Sequence, residues 1–170
     1  MSTQSPPHPA ALDPQELLTD CDVRHDRTSG PGGQHRNKVQ TAVTLTHRPT
    51  GVQGAAGERR QQQMNHGVAL FRLRVNLALT VRCEPADSPS AMWQDRCRSR
   101  IIHINPKHED FPAMLAEALD GAAADQWDLK ATSQRLACST SQLIKLFKRE
   151  SKALEIVNRQ RVERELPPLR

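Results

Sequence analysis

The sequence predicts an α+β fold: a short antiparallel sheet with one long helix, followed by a helical C-terminal extension. Three observations carry this expectation. Thr and Val alternate from Val39 to Leu45, ahead of a Pro-Thr-Gly turn and a second extended stretch, which is a hairpin pattern. Val68, Leu70, Phe71, Val75 and Leu79 then recur at helical spacing. From residue 110 onward the apolar spacing is helical throughout.

The elements follow in order. Residues 1–19 are rich in Pro, Ser, Thr and Gln and are predicted to form a flexible N-terminal tail. Asp20 to Asp26 reads as a short strand leading into a turn. Residues 28–34 must be a loop, because three glycines and a proline within Gly30 to Gln34 forbid a helix or central strand. Val39 to Leu45 is a strand. His47 to Gly51 is a turn, with Pro49 fixing φ and Gly51 allowing positive φ. Val52 to Ala56 is the return strand, weakened by Gly54 and Gly57. Glu58 to Leu79 is the long helix.

Two prolines mark residues 83–89 as a boundary, and Trp93 to Ile104 follows no single period. Phe111 to Ala124 is helical, with Met114, Leu115, Ala118 and Leu119 on one face. Asp128 caps a helix from Leu129 to Cys138, and Ser139-Thr140-Ser141 breaks the chain and caps the next. That helix, Gln142 to Glu150, turns Leu143, Leu146 and Phe147 inward, and a last one runs from Ser151 to Glu165. The expected divisions are the tail at 1–19, a domain around the glycine-rich loop at 20–82, a linker or peripheral segment at 83–109, and a helical module at 110–170.

Composition bounds the function. Hydrophobic residues make up 36% of the 170, with no Tyr and three Phe, so the core is modest and largely aliphatic. A net charge of +5 and a pI near 9.4 favour a polyanionic partner. Nucleic acid is preferred over a membrane, because no apolar run nears the ~18 residues of a spanning helix. The first eleven residues have neither the signal-peptide pattern nor the basic residues of a transit peptide, which predicts a cytoplasmic protein. Four cysteines lie far apart without a CxxC pair, so free thiols are expected and no metal or cofactor. Positive charge is concentrated. Residues 24–74 hold nine Lys or Arg against two acids, a net of +7, and residues 130–170 hold ten against four, a net of +6.

The chemistry centres on Gly30-Pro31-Gly32-Gly33-Gln34, followed at once by His35-Arg36-Asn37-Lys38. A nucleotide phosphate loop would close on Gly-Lys-Ser/Thr or show Rossmann spacing, and neither is present. On composition alone a flexible linker stays open. The wider order is more specific: Ser29 to Lys38, Thr41-Ala42-Val43, His47-Arg48-Pro49-Thr50-Gly51-Val52, and Arg60-Gln61-Gln62-Gln63-Met64-Asn65. Over residues 20–79 this series resembles the catalytic domain of class I peptide chain release factors, and most of all their small, codon-independent ribosome-rescue relatives.

The resemblance implies a ribosome-dependent peptidyl-tRNA hydrolase acting in translation termination or rescue. Its partners would be peptidyl-tRNA and large-subunit RNA at the peptidyl transferase centre, with the protein acting as a monomer. Gly32, Gly33 and Gln34 would be catalytic, with Gln34 beside the ester at the tRNA 3′ end. Arg27, His35, Arg36, Asn37, Lys38, Arg48, Arg60, Gln62 and Asn65 would contact RNA or hold the loop. The alternative is a non-catalytic ribosome- or RNA-binding adaptor retaining the fold. Three departures bear on docking: Arg36 stands where relatives usually carry an apolar residue, Gln61 replaces a usual Ser, and Gly54-Ala55-Ala56 replaces a β-branched run.

At 170 residues the chain is expected to lack stop-codon-reading domains. The small relatives carry a disordered basic tail, whereas apolar spacing at Leu136, Leu143, Leu146 and Phe147 predicts a folded C-terminal region here. Arg135, Lys145, Lys148, Arg149 and Lys152 are secondary RNA candidates. The helices flanking Ser139 have helix-turn-helix proportions, so DNA reading or simple packing stays open for this segment.

Overall fold

The computed structural model describes residues 6–26 and 41–169. In chain order it contains a 3-10 turn (Pro9–Ala11), α1 (Pro14–Thr19), β1 (Cys21–Asp26), β2 (Ala42–His47), β3 (Gln53–Ala56) and α2 (Gln62–Thr80). Then follow α3 (Ala91–Arg96), β4 (Cys97–Arg98), β5 (Ile101–Ile102), α4 (Phe111–Ala124), α5 (Leu129–Arg135), α6 (Thr140–Lys148) and α7 (Ser151–Val162). This is the α+β class that the sequence predicts.

The sheet is antiparallel in the order β1-β2-β3. In β2, Val43, Leu45 and His47 point into the core while the alternate residues stay partly exposed, the period of a strand buried on one face. Gly54 and Ala56 are the buried residues of β3. A Cβ added at Gly54 would lie 2.3 Å from both the Ala69 carbonyl oxygen and the Leu73 nitrogen. The glycine that weakens the strand pattern is therefore where α2 crosses the sheet, backbone against backbone.

The helix begins at Gln62, not at Glu58. Its buried face also differs from the predicted stripe. Asn65, Ala69, Leu73 and Leu77 form the central buried row, flanked by Arg74, Val75, Ala78 and Leu79, while Val68, Leu70 and Phe71 are only partly buried. The reason is that α2 lies between the sheet on one side and α4 on the other, so its buried arc is wider than a one-sided stripe.

Residues 6–19 are not the flexible tail that the sequence predicts. Ala10 and Leu17 are fully buried. Asp13 Oδ1 accepts from the Gln15 N–H at 2.8 Å, and Pro14 occupies the first turn of α1, where a missing N–H costs nothing. Arg74 on α2 donates its Nε–H to the Ala10 carbonyl at 3.1 Å. The prolines read as disorder thus start helices, and Ala10 and Leu17 dock the segment with Leu12 and Leu18 packed against the same core.

Residues 83–109 are likewise packed. Trp93, Ile102 and Ile104 are buried, and the Trp93 indole N–H donates to the Leu136 carbonyl at 2.7 Å. The helix α4 has the predicted bounds and is buried nearly all round. In α5 the C-terminus comes three residues early. Ala137 adopts a φ of 50°, its N–H bonds to Gln134 and that of Cys138 to Ser133, a Schellman ending. Ser139 caps α6 through its Oγ, and Leu143, Leu146 and Phe147 are buried as expected. The buried apolar residues of sheet and helices form one contiguous core.

Candidate functional site

Gly32, Gly33 and Gln34, with Arg27, His35, Arg36, Asn37 and Lys38, lie outside the described residues. What the structure gives is the frame on which that segment is mounted. Asp26, the last residue of β1, is the register partner of Ala42, the first of β2. The segment therefore leaves and returns at one end of a two-strand ribbon.

Both ends are tied to the first turn of α2. On the leaving side, Gln62 Nε2 is 2.7 Å from His25 Nδ1. On the returning side, Asn65 Nδ2 donates to the Thr41 carbonyl at 2.6 Å. Gln62 and Asn65 are three residues apart and so share a helix face. Asn65 also donates to the Arg59 carbonyl and accepts from the Arg59 N–H, both at 2.9 Å. These bonds fold the connection from β3 around the start of α2. Asn65 is fully buried. It is an internal tie and cannot face RNA in this conformation, which corrects that part of its expected role. Gln62 is exposed, and so is Arg60.

Arg48 is engaged within the protein. Its guanidinium donates to the Thr19 carbonyl at 2.6 Å, to the Cys21 carbonyl at 3.2 Å and to Asp22 Oδ1 at 3.0 Å. It fastens the β2–β3 turn to the start of β1. In the same turn the buried His47 ring has Nδ1 2.8 Å from Thr50 Oγ1, and that oxygen accepts from the Val52 N–H at 3.3 Å. The Thr50 hydroxyl can still donate its own proton to an unprotonated Nδ1. Burial lowers the His47 pKa, with Asp20 opposing and Arg48 adding to the shift.

Beside the frame, Arg72 on α2 grips Glu58 with both amino groups, at 2.7 and 3.2 Å, and donates to the Ala55 carbonyl at 2.8 Å. Glu58 is held below its ordinary pKa, first by backbone N–H bonds and then by Arg72. His25, Thr41 and the Glu58–Arg72 pair escape a reading of the sequence. His25 bonds a residue thirty-seven positions on, and Thr41 acts through its carbonyl, which every residue type possesses.

The C-terminal candidates divide. Arg135 is paired with Asp125, its closest contact 2.6 Å, and Arg149 donates to the Ile104 carbonyl. Lys145, Lys148 and Lys152 are exposed and form no ion pair among the described residues. They make a cationic patch on α6 and the start of α7. No described helix is long and apolar enough to cross a membrane.

Comparison with known proteins places this frame among relatives. The model of the RF-1 domain family matches residues 15–108. The chloroplastic peptide chain release factor PrfB1 of Arabidopsis thaliana is 37% identical over 92 residues, covering 49% of this chain and 20% of the relative. Peptide chain release factor 1 of Acidiphilium cryptum is 40% identical over 85 residues, covering 49% and 24%. Peptide chain release factor 2 of Variovorax paradoxus is 48% identical over 62 residues, covering 35% and 17%. The chain thus spans only about a fifth of the length of the curated relatives it matches. The matched family region ends before α4.

Proposed function

The chain belongs to the RF-1 domain family, and from that premise we propose that it hydrolyses the ester of peptidyl-tRNA on the ribosome, releasing nascent peptide without reading a codon. The observation that carries the proposal is the mounting of Gly32-Gly33-Gln34. The sequence stands in a segment whose two ends meet at the Asp26–Ala42 register pair and are fastened to α2 by Gln62 and Asn65. A loop that must reach a distant ester needs a rigid root. The names of the relatives as peptide chain release factors support the same reading.

In this mechanism the chain enters the peptidyl transferase centre of the large subunit. The backbone N–H of Gln34 stabilises the oxyanion or the departing 3′-oxygen, and its side chain confines the attacking water. Gly32 and Gly33 let the backbone approach without a Cβ in the way. A glutamine amide is not a base, so proton transfer falls to water, RNA hydroxyls or the tRNA. RNA then completes the active site, and the free protein is nearly inert. Arg27, Arg36, Lys38 and Arg60 hold phosphates around the loop, with Lys145, Lys148 and Lys152 as a second contact.

The test is peptide release from stalled ribosomes, with and without a codon in the A site, alongside co-sedimentation. Gly33→Ala is expected to abolish most release while leaving binding intact. Gln34→Ala keeps the backbone N–H and retains part of the activity. Misplacing one well-aimed donor costs ~3 kcal/mol, on the order of 100-fold in rate, so Gly33→Ala is the worse of the two. Wild-type release by Gly33→Ala at normal binding would refute the mechanism. A wild type that binds every complex and releases from none would be a non-catalytic adaptor.

A further inference from the structure

A buried cluster of mixed donors lies away from the frame just described. Its members come from distant parts of the chain: His8 just before the 3-10 turn, Cys83 just beyond α2, and Asp120 on α4. One imidazole nitrogen, the thiol sulfur and a carboxylate oxygen all lie within 4.8 Å of one another. His8 and Asp120 are buried and Cys83 is half-buried. We propose that His8, Cys83 and Asp120 bind one zinc ion, which staples the N-terminal segment to the end of α2 and to α4.

The donor set selects the metal. Imidazole, thiolate and carboxylate are the ligands zinc takes, whereas magnesium and calcium prefer oxygen alone. With the thiol deprotonated, the two anionic ligands match the charge of the ion. Three protein ligands leave one tetrahedral position for water, and the half-buried Cys83 side is where water can reach it.

The carboxylate is already oriented. Asp120 Oδ1 accepts from the Cys83 N–H at 3.1 Å and lies 3.5 Å from Arg82 Nη1, while Oδ2 accepts no bond among the described residues. Outer contacts of this kind hold a ligand in position. The Arg82 guanidinium also donates to the Ala78 and Leu79 carbonyls, both at 2.7 Å, and to that of Val81. The negative end of α2 thus offsets part of its charge beside the ion. His8 is held on both sides, with Nδ1 accepting from the Ala10 N–H at 3.0 Å and Nε2 3.3 Å from the Val81 carbonyl. Coordination through Nδ1 replaces the Ala10 bond and leaves the Nε2 proton on the Val81 carbonyl, whereas coordination through Nε2 would move the proton to Nδ1 and replace both.

The position assigns a structural role. Asn65 and Thr80 are separated by fifteen residues of α2, or about 22 Å of helix. The ion therefore sits at the opposite end of α2 from the loop anchors and takes no part in ester chemistry.

The experiment uses the full chain, reduced and stripped of metal, titrated with cobalt(II). One equivalent is expected to bind, giving a thiolate-to-cobalt charge-transfer band and tetrahedral d–d absorption that zinc displaces. Cys83→Ser removes the thiolate band and Cys97→Ser keeps it. His8→Ala weakens cobalt binding by more than about 100-fold, since even outer partners are worth 10–100-fold, with circular dichroism unchanged. Zinc raises the Tm of the wild type and not that of Cys83→Ser. Absence of a thiolate band in the wild type, or its survival in Cys83→Ser, overturns the proposal. If His8→Ala fails to fold, the Cys83→Ser comparison decides alone.

Discussion

At the residue scale, one side chain holds the frame together. Asn65→Ala removes two donors and one acceptor and leaves the Thr41 carbonyl and both Arg59 backbone groups without partners. Losing buried partners costs about 1–3 kcal/mol per group, and some of these groups can regain water. Denaturant unfolding is expected to show a loss of about 3 kcal/mol, whereas Gln62→Ala, at an exposed bond, changes stability by less than about 0.5 kcal/mol. Equal stability of Asn65→Ala and wild type would show that the tie is dispensable. A second residue carries a pH signature. The folded pKa of His47 lies below its ordinary 6.5 because the ring is buried. Above pH 6.5 the ring is neutral in both folded and unfolded chains, so no penalty applies. As the pH falls through 6.5 the unfolded chain takes up a proton that the folded one refuses, and stability is lost until the folded pKa is reached. His47→Gln is expected to flatten the stability curve just below pH 6.5, and an unchanged slope would remove His47 from the account. The polar pair Gln62 and Asn65 is legible in the sequence as one helix face, but its partners are not. Hydrogen bonds to backbone atoms twenty-four residues away leave no trace in local pattern.

At the element scale, the strand–helix contact depends on Gly54. A Cβ there meets the backbone of α2, which cannot rotate aside as a side chain can. Overpacking typically costs 1–3 kcal/mol, and Gly54→Ala belongs at or above about 3 kcal/mol because the obstacle is main chain. Gly67, within α2 itself, is the control. It is exposed and a Cβ there meets nothing within 4 Å, so Gly67→Ala should stabilise by about 0.5–1 kcal/mol through helix propensity. Thermal unfolding of both variants checks the pair, and a neutral Gly54→Ala would mean the sheet and helix can part at little cost. The existence of β2, α2 and the C-terminal helices is legible because each repeats its own period, whereas β1, with a single buried residue, and the glycine-weakened β3 are legible only from the turns beside them. Their buried faces are less so. The stripe read from Val68, Leu70 and Phe71 assumes one apolar neighbour, and α2 has two. The N-terminal segment is missed for a related reason, since Ala10 and Leu17 are too few to make a pattern, yet both are in the core and the turn that carries Ala10 packs on α2 and α4.

At the scale of the whole molecule, charge and packing separate. The core runs continuously from the sheet through α4 to α7, while the positive charge stands in two blocks, residues 24–74 and 130–170. Within those blocks many cations are already engaged: Arg48 with Asp22, Arg72 with Glu58, and Arg135 with Asp125. Formal charge therefore overstates what a polyanion meets. Arg60, Lys145, Lys148 and Lys152 are exposed and outside those pairs. If the second block docks on RNA, ribosome binding must weaken with salt in proportion to the phosphates neutralised, because each contact releases counterions. Each phosphate-bound lysine lost lowers the slope of log K against log salt by about 1. Replacing Lys145, Lys148 and Lys152 together by Ala is expected to reduce that slope by about 2–3 and to leave release at saturating protein nearly unchanged. Arg60→Ala is expected to lower the slope by about 1 and to reduce release as well, since it stands beside the loop anchors. The readout is co-sedimentation across a salt series, with release measured at saturation. A slope unchanged by the triple substitution would make α6 and α7 a packing module whose cations meet only solvent, and would confine RNA docking to the face around Arg60.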